Sequence, residues 1–122
     1  MKEATKEKMK ETLVELGLMD ESDTIVEGLQ ANYFEYTLGK LGSWKQGWIY
    51  FTEEKIVYPT GLLSDNIVIP YKSIKEIGKC SQSLLPIGIT VTYDTAEGKE
   101  KTTKFSMMKR DKWIDFLNEK SA

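Results

Sequence analysis

The side chains that most often carry out catalysis are scarce in this sequence. Its 122 residues include no histidine and one cysteine, Cys80. Without histidine there is no Ser-His-Asp or Cys-His nucleophile pair and no imidazole acid or base. A lone cysteine can form neither a cysteine-only zinc site nor an internal disulfide. The sequence also has no glycine-rich phosphate-binding motif, so we expect no catalytic residue, no metal site and no cofactor.

The charged residues argue against a nucleic-acid-binding protein. The formal net charge is −2, and such a balance lacks the basic field that drives non-specific nucleic-acid binding. Basic residues do cluster near the end of the chain, namely Lys99, Lys101, Lys104, Lys109, Arg110 and Lys112. This cluster could bind an anionic lipid or an acidic partner. Alternatively, it forms the solvent-facing side of a strand and of a helix start.

Two pairs of leucines are predicted to lie in loops. Leu62 and Leu63 follow Pro59, and Leu84 and Leu85 precede a later strand. Leucines at loop tips can contact a partner or insert into a membrane. The alternative is that both pairs fold back over the rim of their own domain.

The N-terminal segment predicts an amphipathic helix from Ala4 to Leu16, capped by Gly17. Met9, Leu13 and Leu16 share its apolar stripe at helical spacing. Because this stripe is narrow, the helix must pack against something. It either packs against its own domain or forms a contact with a partner or a second subunit.

The rest of the chain alternates with a period of two until its last segment. Strands are predicted at 24–38, 44–52, 55–58, 67–69, 73–79, 87–93 and 99–105, and a helix at 109–120. The first strand changes phase, which predicts a bulge or a sharp bend near Asn32. The large side chains, including Trp48 and Phe105, predict a filled core instead of a ligand cavity.

This order of one helix, seven short strands and a final helix predicts a mainly β (α+β) fold. Short antiparallel strands joined by hairpins favour a partly open barrel built from two sheets. An amphipathic C-terminal helix that carries Trp113 suits the closing of one open end. We expect an N-terminal helical extension at 1–23 and the barrel domain at 24–122.

Four segments in the right order resemble the GRAM and bacterial pleckstrin-homology-like domains. They are the glycine-aromatic strand and its return at 47–58, the Ile-Pro-aromatic step at 67–77, the last hairpin at 87–105 and the start of the closing helix at 110–113. The resemblance implies a pleckstrin-homology-like fold. It also implies a possible phosphoinositide site, because the wider family often binds such headgroups through basic residues in the inter-strand loops. The positions concerned are Lys40, Lys45 and Lys99, with Lys101 on the same side of its strand as Lys99. The arginine that the family usually has in the second strand is absent here.

We expect the function to be binding without catalysis. The first hypothesis is a cytoplasmic module that binds a protein partner, or assembles with itself through the helix stripe and the exposed sheet edges. The alternative is a peripheral membrane module that recognises anionic lipid headgroups through its lysines. A cytoplasmic location is expected because the chain has one cysteine and its start alternates Lys and Glu, unlike a signal peptide.

Overall fold

The architecture is known from a computed structural model that describes residues 1–35, 42–60 and 66–122. Within these ranges the chain forms two α-helices, seven strands and one 3-10 turn. They are α1 (Glu3–Glu15), β1 (Ile25–Glu35), β2 (Ser43–Thr52), β3 (Lys55–Tyr58), β4 (Ile67–Pro70), the turn (Tyr71–Ser73), β5 (Ile74–Gln82), β6 (Leu85–Asp94), β7 (Glu100–Ser106) and α2 (Arg110–Ser121).

The seven described strands form one antiparallel sheet in the order β4-β3-β2-β1-β7-β6-β5. Strands β1 and β7 come from opposite parts of the sequence and meet through the pairs Asn32–Ser106 and Tyr33–Phe105. This seam makes the ladder continuous, so the prediction of two sheets is corrected to one. The sheet does not close, because β4 and β5 are its two edges. The predicted partly open, mainly β architecture with a helix at each end is confirmed.

Strand β1 contributes to two hydrophobic clusters because it has a bulge near its start. Its register with β2 shifts between Ile25 and Glu27, so the prediction of a bulge near Asn32 was wrong in position. An extra residue in one strand changes the face to which later side chains point. Ile25 therefore joins a cluster on the outer face, whereas Ala31 and Tyr33 belong to the inner core.

The inner face of the curled sheet holds the main core, and α2 closes one end of it. The Trp113 ring of α2 stacks on Phe51 of β2, with centroids 4.4 Å apart and planes 9° apart. At the start of α2, Arg110 Nη1 donates to the carbonyl oxygens of Cys80 (3.2 Å) and Gly88 (3.4 Å). The predicted role of the C-terminal helix is therefore confirmed.

Helix α1 covers part of the outer face. Leu13, Leu18 and Met19 pack there against Tyr50 and Val57. Strands β2 and β3 are consequently covered on both sides, which explains why residues 49–52 and 56–58 are all buried.

The turn after α1 is a Schellman motif. Gly17 has a φ of +75°, a conformation that glycine adopts without strain. The Leu18 amide donates to the Leu13 carbonyl oxygen at 2.9 Å, and both side chains enter the outer cluster. The predicted glycine cap thus directs the chain from the helix back onto the sheet.

Candidate interaction surface

The lysines predicted to bind a ligand do not converge on one place. Lys101 lies on β7 and Lys99 in the turn before it, at the end of the sheet where β1 also ends. Lys45 lies on β2, at a level that corresponds across β1 to Phe105. Phe105 is four residues from Lys101 along β7, which is about 13 Å. Lys40 lies outside the described residues.

An open groove of about 660 Å³ extends from this end, at the start of β4 and the β6–β7 turn, to Lys72 and Ser73 in the 3-10 turn. Lys72 and Lys101 line it, but Asp94 and Glu97 line it as well. Lys75 Nζ also lies 3.6 Å from Asp94 Oδ1. Because these charges offset one another, the groove lacks the strong positive potential that concentrates a multiply charged anion.

Aromatic side chains fill the barrel interior near this end. The ring centroid of Tyr58 lies 5.0 Å from that of Tyr33 and 5.7 Å from that of Phe105. The Tyr58 hydroxyl donates to the Ala31 carbonyl oxygen at 3.0 Å. Burial, with a smaller effect from Tyr33, raises the pKa of Tyr58 far above its usual range. This phenol stays neutral and supports the core.

The α1 residues predicted for partner contact divide into buried and exposed ones. Leu13 is fully buried in the chain's own fold, and Met9 packs beside it. Leu13 therefore offers no surface to a partner. Leu16, one residue after α1, is 56% exposed. Leu62 and Leu63 lie outside the described residues.

The hairpin between β5 and β6 ends in exposed leucines. The predicted loop at 81–86 is instead a two-residue turn, Ser83 and Leu84, between the paired residues Gln82 and Leu85. Both turn residues have positive φ, 46° and 72°, as a type I′ turn requires. Leu84 is 97% exposed and Leu85 56%, so this leucine pair does not fold back over the rim.

Leucine is an unusual residue at this point of a turn. A left-handed backbone costs a residue with a Cβ about 1–2 kcal/mol, and glycine or asparagine is the common choice. Leu84 has a φ of 72° and is almost fully exposed. Neither backbone preference nor packing within the domain accounts for this leucine.

Exposed apolar side chains continue from this tip across the outer face of the sheet. Trp48 is 44% exposed and Met108 74%. The prediction that Trp48 belongs to the core was wrong. Trp48 shares its face of β2 with Tyr50, but Tyr50 is covered by the outer cluster beneath α1 and Trp48 is not part of that cluster.

These side chains and two glutamines form an uncharged surface that we term the neutral strip, composed of Trp48, Gln30, Gln46, Met108, Leu85 and Leu84. Gln30 and Trp48 are register partners, and Gln46 is two residues before Trp48 on the same face of β2. A depression of about 180 Å³ is lined jointly by Gln30, Gln46 and Met108. The strip thus runs from β2 across β1 and β7 to the β5–β6 tip.

A polar network beneath the strip ties the hairpin tip to the β1–β7 seam. Asn32 Nδ2 donates to Gln82 Oε1 at 3.3 Å and to Ser106 Oγ at 3.2 Å. The Ser106 hydroxyl, which is fully buried, also donates to Gln82 Oε1. These bonds hold the tip in a defined position relative to β1, so the strip is preorganised for contact.

One feature of the sequence could have indicated part of this uncharged surface. Residues 80–93 contain no charged side chain, although charged residues make up 30% of the whole chain. The exposure of Trp48 could not be predicted from the sequence, because a tryptophan between apolar neighbours is usually buried for the most part.

Other kinds of site find little support in the described residues. Within 1–35, 42–60 and 66–122, His, Cys, Asp and Glu residues form no group that could hold a metal ion. Burial raises the pKa of the Cys80 thiol, with Lys104 and Arg110 offsetting only part of this effect, so the reactive thiolate is disfavoured. Neither described helix has the length and apolar character needed to cross a membrane.

Comparison with solved structures reveals several similar domains. The chain resembles the C-terminal domain of an unknown protein from Leishmania infantum, with a TM-score of 0.65 and 18% identity over 94% of this chain and 95% of that one. It also resembles the Slm1 PH domain, solved in complex with inositol 4-phosphate (TM-score 0.59, 8% identity, 80% and 96% of the two chains). The N-terminal PH domain of Vps36 is similar as well, with a TM-score of 0.53 and 16% identity over 85% of this chain and 80% of that one. No protein-family model and no curated protein sequence matches the chain. At these identities the similarities concern the fold alone.

Proposed function

We propose that this chain, which has a pleckstrin-homology-like fold, is a non-catalytic interaction module that binds a protein through the neutral strip. The observation that carries the proposal is the exposure of Leu84, Leu85, Met108 and Trp48, of which Trp48 and Met108 border the same two glutamines. Contiguous exposed apolar surface is typical of interaction sites. Interface cores are also depleted in charge and enriched in Trp and Met, and the strip has this composition.

The conformation of Leu84 supports the same proposal. A left-handed, exposed leucine reduces the stability of the isolated fold, and backbone strain of this kind is common at functional positions. A partner that buries the Leu84 side chain would recover hydrophobic free energy of about 1.5–3 kcal/mol. That gain would offset the cost of the turn.

Recognition of anionic lipid is the second candidate, and one observation favours it. Lys72 and Lys101 line the groove at the open end of the barrel, and the similar Slm1 domain was solved with inositol 4-phosphate. The carboxylates of Asp94 and Glu97 in the same groove oppose an anion. We therefore place lipid recognition behind protein binding.

Membership of the GRAM type and a cytoplasmic location are parts of this proposal. The four segments that resemble GRAM domains support the first. The single, partly buried thiol of Cys80 supports a reducing compartment.

Site-specific photo-crosslinking in producing cells tests the protein-binding function. A photoreactive residue is placed at Leu84, at Met108 or, as a matched exposed control, at Lys101 in the open-end groove. We expect discrete protein adducts from Leu84 and Met108 and none from Lys101. Absence of adducts at both strip positions, or equal labelling at Lys101, would refute the role of the strip.

Vesicle co-sedimentation tests the lipid alternative. The chain is mixed with vesicles of neutral lipid or of neutral lipid plus phosphatidylserine and phosphoinositide, at low and high salt. We expect no pelleting above background. Salt-sensitive pelleting with anionic vesicles only, abolished by Lys101→Glu, would instead favour the lipid function.

A further inference from the structure

We infer that the protein partner is acidic where it meets the Leu84 tip, with carboxylates placed around apolar side chains. The inference rests on the proposed function, because it names the chemistry of the partner for the same surface. The structure supports it by dividing the basic cluster of the sequence into two groups. Lys99 and Lys101 lie at the β6–β7 turn, whereas the other members lie in the second half of β7 or after it.

Two segments, 79–90 and 104–112, meet at the end of the sheet that carries the hairpin tip. The first contains the end of β5 and the start of β6, and the second contains the end of β7 and the start of α2. Arg110 Nη1 donates to the carbonyl oxygens of Cys80 on β5 and Gly88 on β6. The start of α2 is thus tied to both strands of the hairpin, a few residues from its tip.

The two segments together carry a strong positive charge. They contain five basic residues and one acidic residue, which gives a net charge of +4. The whole chain has a net charge of −2, so the rest of the chain has −6. Positive charge is therefore concentrated at the tip end of an otherwise acidic protein. The basic residues are Lys79, Lys104, Lys109, Arg110 and Lys112, and the acidic one is Asp111.

This concentration of charge is unfavourable in the isolated chain. Lys109, Arg110 and Lys112 lie at the N-terminal end of α2, where the helix dipole is positive. Asp111 is the acidic residue of the first turn, and its Oδ1 lies 3.4 Å from Lys79 Nζ and 3.8 Å from Arg110 Nε. One carboxylate offsets only part of the repulsion among five cations. Carboxylates of a partner would remove more of it.

The most exposed apolar side chains lie at this basic end. Leu84 is 97% exposed and Met108 74%. The amide of Met107 donates to the Ile87 carbonyl oxygen at 3.1 Å, so Met108 lies close to the start of β6, and Lys109 follows it directly. Interfaces commonly have an apolar centre and a polar rim. A basic rim is matched by carboxylates, which also speed association and exclude basic partners.

The shape of the surface favours a protein over a membrane or a nucleic acid. The depression of about 180 Å³ beside Met108 is lined by Gln30 and Gln46. A side chain of a protein can enter such a depression, whereas the surface of a bilayer cannot, and the carboxamides can hydrogen bond to its peptide groups. A nucleic acid binds basic residues mainly through its phosphates, so it would leave Leu84 and Leu85 uncovered.

A phage-displayed library of random dodecapeptides is the probe that tests the inference. Selection on the natural chain is expected to enrich peptides that combine several carboxylates with at least one large apolar residue. The affinity of a labelled selected peptide is then measured by fluorescence anisotropy. We expect it to fall at least tenfold between low and high salt, because salt screens the exposed charges.

Two double variants with the same change in net charge separate the basic end from the rest of the chain. Lys109→Glu with Lys112→Glu is expected to weaken peptide binding at least tenfold. Lys99→Glu with Lys101→Glu is the matched control at the other end of β7, and all four lysines are exposed. We expect this control to change binding less than about twofold, because its charges lie farther from the tip than the screening length.

Leu84→Asn tests the apolar centre and keeps a residue that suits the left-handed turn. It is also expected to weaken peptide binding at least tenfold. Circular dichroism and thermal unfolding of every variant show whether its fold is intact.

Selection of no peptide, or of peptides without an excess of carboxylates, would overturn the inference. Equal weakening by the two double variants, or unchanged binding by Leu84→Asn, would also overturn it. Pelleting with phosphatidylserine vesicles that is lost in Lys109→Glu with Lys112→Glu would identify a membrane as the occupant instead. Selected peptides that are uncharged and still need Leu84 would refute the acidic partner and leave the proposed binding function intact.

Discussion

The buried hydroxyl of Thr52 secures the turn between β2 and β3. Its Oγ1 accepts hydrogen bonds from the amides of Glu54 (3.2 Å) and Lys55 (3.0 Å) and donates to the Lys55 carbonyl oxygen (3.1 Å). The side chain is completely buried. Without this oxygen, backbone groups at the turn would lose their partner.

Replacing Thr52 by valine should therefore destabilise the fold by about 1–3 kcal/mol, the cost of leaving buried polar groups unsatisfied. Thr52→Ser is the matched control, because it keeps the hydroxyl and removes only a methyl group. Urea unfolding of the two variants measures the difference. Equal stability of Thr52→Val and Thr52→Ser would show that the hydroxyl is dispensable.

At the turn that contains Leu84, in contrast to Thr52, we expect a substitution to stabilise the fold. Leu84→Gly removes the left-handed strain while the lost side chain is almost fully exposed. We expect a gain of about 1 kcal/mol, roughly 4 °C in Tm. Leu85→Gly is the control, since Leu85 is a strand residue and glycine weakens strands. A lower Tm for Leu84→Gly would mean that Leu84 packs within its own domain.

Among the elements, α1 has the most easily tested structural role. We propose residues 1–23 as a helical extension that stabilises the barrel from outside, because Leu13 packs against Tyr50 and Val57. Leu13→Ala should cost about 2–5 kcal/mol through the cavity it leaves. Leu16→Ala, in an exposed position beside the same helix, should change stability by less than about 0.5 kcal/mol. Thermal unfolding distinguishes the two, and equal effects would contradict the packing role of α1.

Elements whose pattern is local could be predicted from the sequence, and those that depend on distant contacts could not. Strand β3 and helix α2 follow from alternation and amphipathicity, and the cap at Gly17 follows from residue type. The β1–β7 seam has no local signal because its partners are far apart in sequence, so the number of sheets was predicted incorrectly. The exposure of Trp48 depends on how far the start of α1 extends over the outer face. The position of the β1 bulge was wrong because alternation alone does not show which residue is unpaired.

The candidate interaction surface also depends on contacts between distant parts of the sequence, so it could be predicted only in part. The leucines at 84 and 85 were recognised as a possible contact, but their exposure depends on a two-residue turn that the sequence Ser83-Leu84 does not favour. The positions of Lys45 and Lys101 also depend on the register, because these residues lie on β2 and β7 with β1 between them, at levels four residues apart. Only the complete register shows that β1 and β7 bring the β5–β6 hairpin tip and the Trp48 strand into one sheet.

At the scale of the whole molecule, the sheet consists of two halves that share one core but meet through a short backbone seam. Strands β1–β4 and β5–β7 share only two described register pairs, at the β1–β7 seam. Helix α2 bridges them, because Trp113 stacks on Phe51 in the first half while Arg110 binds the carbonyls of Cys80 and Gly88 in the second. The first half is additionally covered by α1.

This arrangement predicts that loss of the α2 anchor loosens one half before the other. Trp113→Ala should cost about 3–5 kcal/mol, and native-state hydrogen exchange should show amides of β5–β7 losing protection before those of β2 and β3. The reason is that β2 and β3 keep the cover of α1 on their outer face, whereas β5–β7 have only the shared core, α2 and the short seam. Trp44→Ala, which removes a partly exposed ring against Phe34, is the control and should leave both halves protected. Equal loss of protection in both halves of Trp113→Ala would mean that the barrel unfolds as one unit and that α2 does not act as the bridge.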